Sequence, residues 1–127
     1  MDRETSLHVA SQKGRLEVVC LLIDRGADVN GRDKIGRTPL HRSSQSGHVD
    51  IARLLLDRGA HVDTIDQHLN TPLHRASEKG HFEIVQLLIG RGANFNTADH
   101  YGFRPIQIAR MNEHPEVIQL LVKHGAT

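Results

Sequence analysis

Ten histidines are the residues of this 127-residue chain best suited to chemistry, because imidazole binds metals and transfers protons near neutral pH. Six of them form two sets in which the members are 33 residues apart. One set is His8, His41 and His74, and the other is His48, His81 and His114. The chain has one cysteine, Cys20, which excludes an internal disulfide and a zinc site built on several thiolates.

This histidine spacing does not predict a metal or catalytic site. If the interval marks stacked copies of one unit, equivalent residues lie roughly 10 Å apart, whereas imidazoles sharing a zinc each lie about 2 Å from it. The sequence contains no His-x-x-x-His pair, no glycine-rich phosphate loop and no nucleophile elbow. We therefore predict no enzyme activity, no metal and no cofactor.

The same interval relates the rest of the chain. A Thr-Pro-Leu-His tetrapeptide begins at Thr38 and again at Thr71, and related tetrapeptides begin at Thr5 and Arg104. Searching for such periods comes before assigning elements, because a missed repeat misreads the whole fold. We predict a single domain, 1–127, of four copies at 5–37, 38–70, 71–103 and 104–127, in which the first copy lacks its leading hairpin and the last is truncated.

Each copy predicts two short helices and a turn. Thr38 is a good N-cap, and Pro39 suits the first helical position. Gly47 supplies a residue that can end the first helix with positive φ. The segment 48–58 is apolar over most of its circumference, so this second helix must pack on its own copy's first helix and on both neighbouring second helices. The polar segment 62–70 is predicted to project from the stack as a hairpin-like finger.

The recurring pattern Thr-Pro-Leu-His-x-Ala, then Gly-His, then Leu-Leu-x-x-x-Gly-Ala resembles the ankyrin repeat along essentially the whole chain. The resemblance implies an all-α fold, an ankyrin-repeat solenoid of four stacked helix–turn–helix units with projecting β-hairpin-like loops. It also implies that the chain binds other proteins. In this family the Thr-x-x-His side chains form local hydrogen bonds and brace the hairpins.

Three positions depart from the pattern. Leu69 stands where Gly36 and Gly102 lie in other copies, so its turn is expected to be strained if it needs positive φ. Glu113 replaces the glycine between the two helices, and we expect Asn112 to take the left-handed conformation there. Ser43 replaces an alanine, which is tolerated if its hydroxyl bonds a carbonyl one turn back.

Outward positions that vary between copies are the candidates for partner binding, and by resemblance they line the concave face. They are Arg32, Lys34, Ile35, Arg37, Arg42, Gln67, His68, Asn70, Arg75, Lys79, His100, Tyr101 and Phe103. Aromatic and arginine side chains are frequent anchors of interfaces. The basic residues predict an acidic partner segment with apolar contacts. The opposing interpretation is that Phe103 packs on the neighbouring finger and the basic side chains are only solvated.

Composition narrows the class of protein. With 16 basic and 15 acidic residues, the chain lacks the excess positive charge that drives binding to nucleic acid. No apolar run approaches the roughly 20 residues that span a membrane, and the N-terminus lacks the pattern of a signal peptide. We expect a cytoplasmic or nuclear protein.

Two functions remain open from the sequence. The first is a monomeric, non-catalytic module that binds another protein through its concave face. The second is an excised or engineered ankyrin scaffold without a native partner, which associates weakly end to end. Apolar residues in both terminal helix pairs, such as Val18 and Val122, favour the second, because terminal repeats need polar outer faces for solubility.

Overall fold

A computed structural model describes residues 3–127 of the chain. These residues form helix–turn–helix pairs that stack consecutively, so the predicted all-α repeat solenoid is confirmed. One pair falls within each predicted copy. The first helices are α1 (Ser6–Lys13), α3 (Pro39–Ser46), α5 (Pro72–Lys79) and α7 (Pro105–Met111), and the second helices are α2 (Leu16–Asp24), α4 (Val49–Asp57), α6 (Phe82–Gly90) and α8 (Pro115–Lys123).

A reciprocal threonine–histidine cap begins three of the four first helices. Thr38 Oγ1 accepts a hydrogen bond from the His41 backbone N–H at 3.3 Å, and His41 Nδ1 accepts one from the Thr38 N–H at 3.1 Å. The exchange satisfies two donors for which a helix start has no intrahelical partner. Because Nδ1 accepts, Nε2 carries the proton and donates to the carbonyl of Asn70 at 2.8 Å. The histidine therefore ties its helix to the next finger, as the resemblance implied.

The other set of histidines ties the start of each following second helix to the first helix of the preceding copy. His81 Nε2 lies 3.0 Å from the carbonyl oxygen of Gln45 in the preceding copy, and His48 and His114 make the equivalent contact. The His81 ring also lies against Gly47, where an added Cβ would sit 2.8 Å from Cε1. Such a distance is too short for a carbon contact, so this packing requires a glycine beneath the ring.

Aliphatic layers between neighbouring copies form the core. Helix α4 packs against α3, α2 and α6, as predicted. The leucines Leu40, Leu55 and Leu88 are fully buried, and the remaining core is likewise built from aliphatic side chains. Each layer depends on contacts from the adjacent copy, which is why so few aromatic residues suffice.

The three residues that depart from the repeat pattern have different structural outcomes. Leu69 has φ 62°, so the finger turn does need the left-handed conformation that glycine provides elsewhere. The expectation for Asn112 was wrong: Asn112 has φ −100° as the C-cap of α7, and Glu113 takes the left-handed conformation with φ 59°. The Asn112 side chain instead donates to the Ile108 carbonyl at 2.9 Å. Ser43 Oγ donates to the Leu40 carbonyl at 3.3 Å, as expected.

Truncating a core leucine tests the stack. Leu55→Ala removes a fully buried side chain between α4 and its neighbours, and we expect the free energy of unfolding to fall by about 2–5 kcal/mol. Lys34→Ala, at an exposed finger position, should change it by less than about 0.5 kcal/mol. Urea denaturation followed by circular dichroism measures both values, and equal effects would contradict the packing described.

Relieving the left-handed leucine should have the opposite effect. Leu69→Gly is expected to raise the free energy of unfolding by up to about 1 kcal/mol, because released backbone strain exceeds the entropy that glycine loses on folding. Leu69→Ala is the matched control, since alanine keeps a Cβ and the strain. A gain for alanine equal to that for glycine would show that positive φ is not the cause.

Candidate functional site

Backbone hydrogen bonds join the fingers of neighbouring copies into a continuous ribbon. The Gln67 N–H donates to the Ile35 carbonyl at 3.0 Å, and the His100 N–H donates to the His68 carbonyl at 2.9 Å. An aspartate fixes the turn within each finger: Asp99 Oδ1, for example, accepts from the N–H groups of Tyr101 and Phe103, both at 2.9 Å. The ribbon is thus held by backbone bonds between fingers and by aspartate side chains within them.

The structure corrects the prediction for Arg42, which was taken as an outward binding residue. Its side chain is buried, with 4% of the residue exposed, and it contacts Asp33 at 2.8 Å, Glu4 at 2.7 Å and Gln12 at 2.7 Å. Burial raises the pKa of Asp33, but bonds from Arg42 and from backbone N–H groups outweigh it and lower that pKa to about 2. Arg42 therefore joins α3 to the first finger and to the N-terminal segment.

Other cations of the predicted face are also engaged within the chain. Arg37 Nε lies 3.2 Å from Asp33, and Arg75 lies 3.0 Å from Asp66. Arg32 donates to backbone carbonyls of two fingers and to the Thr64 hydroxyl. The charge available to an acidic partner is thus smaller than the sequence suggested, although Lys34 and Lys79 are exposed.

A groove between the third and fourth copies collects several of the predicted residues. It has a volume of about 410 Å³. We call it the aromatic groove, and it is lined by His68, Asn70, His74, Arg75, Glu78, Asp99, Tyr101, Phe103, Ile108, Met111 and Asn112. It therefore unites four predicted binding residues of two fingers with Arg75 of α5 and with residues of α7.

Four rings follow one another along the rim of this groove. The ring centroids of His68 and His100 are 5.9 Å apart, those of His100 and Tyr101 4.5 Å, and those of Tyr101 and Phe103 6.4 Å. Tyr101 is 75% exposed, whereas Phe103 is half-buried. The rim therefore presents the ring of Tyr101 to solvent, because the stack itself does not bury it.

The remaining predicted residues lie outside the aromatic groove. Arg32, Lys34, Ile35 and Arg37 belong to the first finger, Gln67 to the second, His100 to the third, and Lys79 to the end of α5. Gln67 donates through its side chain to the Lys34 carbonyl at 2.8 Å. Sequence reasoning missed Ile108 and Met111, both of which line the groove. The signal was the change of residue type at a repeat position, since Ile108 stands where Arg42 and Arg75 do.

Two further properties of residues 3–127 concern the grouping of metal-binding side chains and the ability of a helix to cross a membrane. His, Cys, Asp and Glu side chains of residues 3–127 nowhere gather in threes or more where a metal ion could be held. In the same part of the chain, no helix combines the length and apolar character that a membrane crossing requires.

A family model described as ankyrin repeats (3 copies) matches residues 1–66, and a second, described as ankyrin repeats (many copies), matches residues 44–89 and 73–122. The chain therefore belongs to the ankyrin-repeat family. Members of this family are generally protein–protein interaction modules, and they are typically non-catalytic. A search of curated proteins found no match.

Buried histidines make stability depend on pH. Burial lowers the pKa of His41 from 6.5 to about 4, although the bond to the Asn70 carbonyl acts in the opposite direction. Burial lowers the pKa of His74 as well. Because the unfolded chain titrates near the ordinary value of about 6.5, it binds more protons than the folded chain between the two values. The stability due to neutral His41 is complete above about pH 6.5 and is lost as the pH falls toward 4.

His41→Gln tests this linkage, and the chain itself offers the substitution, since Gln107 occupies the same position and accepts from the Arg104 N–H at 2.8 Å. We expect the variant to take up about one proton fewer on unfolding near pH 5. Urea denaturation from pH 4.5 to 7.5 measures the slope. His124→Gln, at an exposed residue, should keep the wild-type slope, and an unchanged slope for His41→Gln would show that His41 is not responsible.

Proposed function

We propose that this protein is a non-catalytic module that binds a segment of a partner protein on the concave face formed by the finger tips and first helices. The observation that carries the proposal is the exposed ring of Tyr101 on the rim of the aromatic groove. Exposed aromatic side chains next to a concavity are the commonest energetic anchors of protein interfaces.

The partner is expected to be recognised by an apolar side chain rather than mainly by charge. Phe103, Ile108 and Met111 give the aromatic groove an apolar side, and Asn70 and Glu78 give it polar groups that suit main-chain donors and acceptors. The acidic partner segment favoured by the sequence keeps support only from Lys34 and Lys79. Arg42 is buried, and Arg37 and Arg75 pair with carboxylates of the chain.

The proposal includes a cytoplasmic or nuclear setting. Cys20 is a free, half-buried thiol, and such thiols persist in reducing compartments. The protein acts there as a monomer with one partner on its concave side.

Substitution of the exposed ring tests the proposal. Peptides that bind the wild-type protein are selected from a random linear library, and their affinities are measured by fluorescence anisotropy. We expect Tyr101→Ala to weaken the selected peptides by at least about tenfold, because the ring is their anchor. The ring is largely exposed, so the substitution should leave the unfolding midpoint unchanged.

The matched control is Gln86→Ala, which removes an exposed side chain of α6, one of the second helices. Peptides weakened by Gln86→Ala but not by Tyr101→Ala would place binding on the other side of the stack and contradict the proposal. The same two variants, used as baits in cell lysate, extend the comparison to natural partners. A specific partner should be retained by Gln86→Ala and lost by Tyr101→Ala.

A further inference from the structure

The two ends of the stack are not equivalent, as corresponding residues of the copies show. Val18 of α2 is 42% exposed, whereas its equivalents Ile51, Ile84 and Val117 are each 1% exposed. Leu22 is half-buried, whereas its equivalents at 55, 88 and 121 are fully buried. Every described copy that follows another one thus buries these two positions. The first copy leaves the apolar residues at these two positions partly exposed.

A ladder of ion pairs between second helices links the first three copies, whereas Gly90 and His124 stand at the corresponding positions of the third and fourth copies. Arg58 lies 2.9 Å from Asp24 of the preceding copy, and Arg91 lies 2.7 Å from Asp57. Arg25 stands at the same position of the first copy and is exposed, and no copy within residues 3–127 precedes it. The N-terminal face, defined as Val18, Leu21, Leu22 and Arg25, therefore repeats the apolar and charged pattern of the internal interfaces.

The C-terminal end also exposes an apolar residue, Val122 at 50%, but it lacks other features of the internal interfaces. Glu113 stands where Gly14, Gly47 and Gly80 lie beneath the histidine of the following copy. A Cβ at those glycines would come within 2.5–2.8 Å of the histidine ring. A further copy with such a histidine therefore cannot dock on the fourth copy in the same way.

Charge and hydrogen bonding at this end also differ. Lys123 stands where Asp24 and Asp57 accept their arginines, so the ladder would place two cations together. Arg110 is exposed at the position of Ser44 and Ser77, which the next copy buries completely. We define the C-terminal face as Gln107, Arg110, Glu113 and Lys123.

We propose that the N-terminal face is a docking surface for one further helix pair of ankyrin type, whose second helix places a carboxylate opposite Arg25. The C-terminal face is closed to such docking. A second copy of this chain is not a suitable occupant head to tail, because Arg25 would meet Lys123 and like charges repel. The docked pair lacks one internal contact, since Arg15 replaces the histidine that elsewhere reaches back to the preceding copy.

Two extensions of the full chain test the proposal. In the first, a copy of residues 38–66 precedes Met1, which sets the added Asp57 34 residues before Arg25, the spacing of the Asp24–Arg58 pair. In the second, copies of 95–103 and then 71–94 follow Thr127, also in register. We expect the first extension to raise the urea midpoint by about 0.5 M or more in a single transition, and the second to leave it unchanged.

Substitutions on the N-terminal and C-terminal faces supply the controls. Arg25→Glu should reduce the gain of the first extension while leaving the midpoint of the unextended chain unchanged. Glu113→Gly with Lys123→Asp should give the second extension a gain that it otherwise lacks. An absent gain from the first extension, or equal gains from both, would overturn the proposal.

The self-association state of the unextended chain tests the other occupant. Sedimentation velocity is expected to show a monomer over a wide concentration range. A dimer that Leu21→Lys dissociates would show that a second copy covers the N-terminal face, and would overturn the proposal of a helix pair.

Discussion

Helices of seven to nine residues cannot remain folded alone, and this constraint governs the whole structure. Their intrinsic helical stability is small, so they depend on apolar burial that only adjacent copies supply. The stack therefore needs hydrogen bonds that join its parts at each 33-residue interval. The two histidine sets provide them, one from helix to next finger and one from second helix to preceding copy. The six histidines of these two sets, whose residue type could have suggested catalysis, therefore form structural hydrogen bonds.

The repeat architecture could be predicted because every local rule recurs at the same interval. Thr38, Pro39 and Gly47 define a helix by capping alone, and the apolar segment after them defines its neighbour. The fate of Arg42 could not be predicted in this way. Its burial depends on Glu4, Gln12 and Asp33, which come from three separate parts of the chain.

Comparison of equivalent repeat positions also predicted part of the candidate site. Tyr101 and Phe103 stand out because the repeat does not require them, and the structure places both at the aromatic groove. Met111 was missed because a single methionine near a helix end carries no signal until the fold places it beside a finger. The choice between Asn112 and Glu113 failed because residue preference favours asparagine at positive φ. Here the path of the chain into α8 assigns that conformation to the next residue.

The histidines of the Thr-x-x-His caps contact main-chain carbonyls of the fingers. The residues that carry these carbonyls are an arginine, an asparagine and a phenylalanine. His8 reaches Arg37, His41 reaches Asn70, and His74 reaches Phe103, all at 2.8–2.9 Å. Since the carbonyl is a backbone group, the hydrogen bond from the histidine does not depend on which side chain that finger residue carries. Recognition can therefore diverge by single substitutions at the base of a finger while the architecture stays constant, so that one scaffold can acquire new specificities.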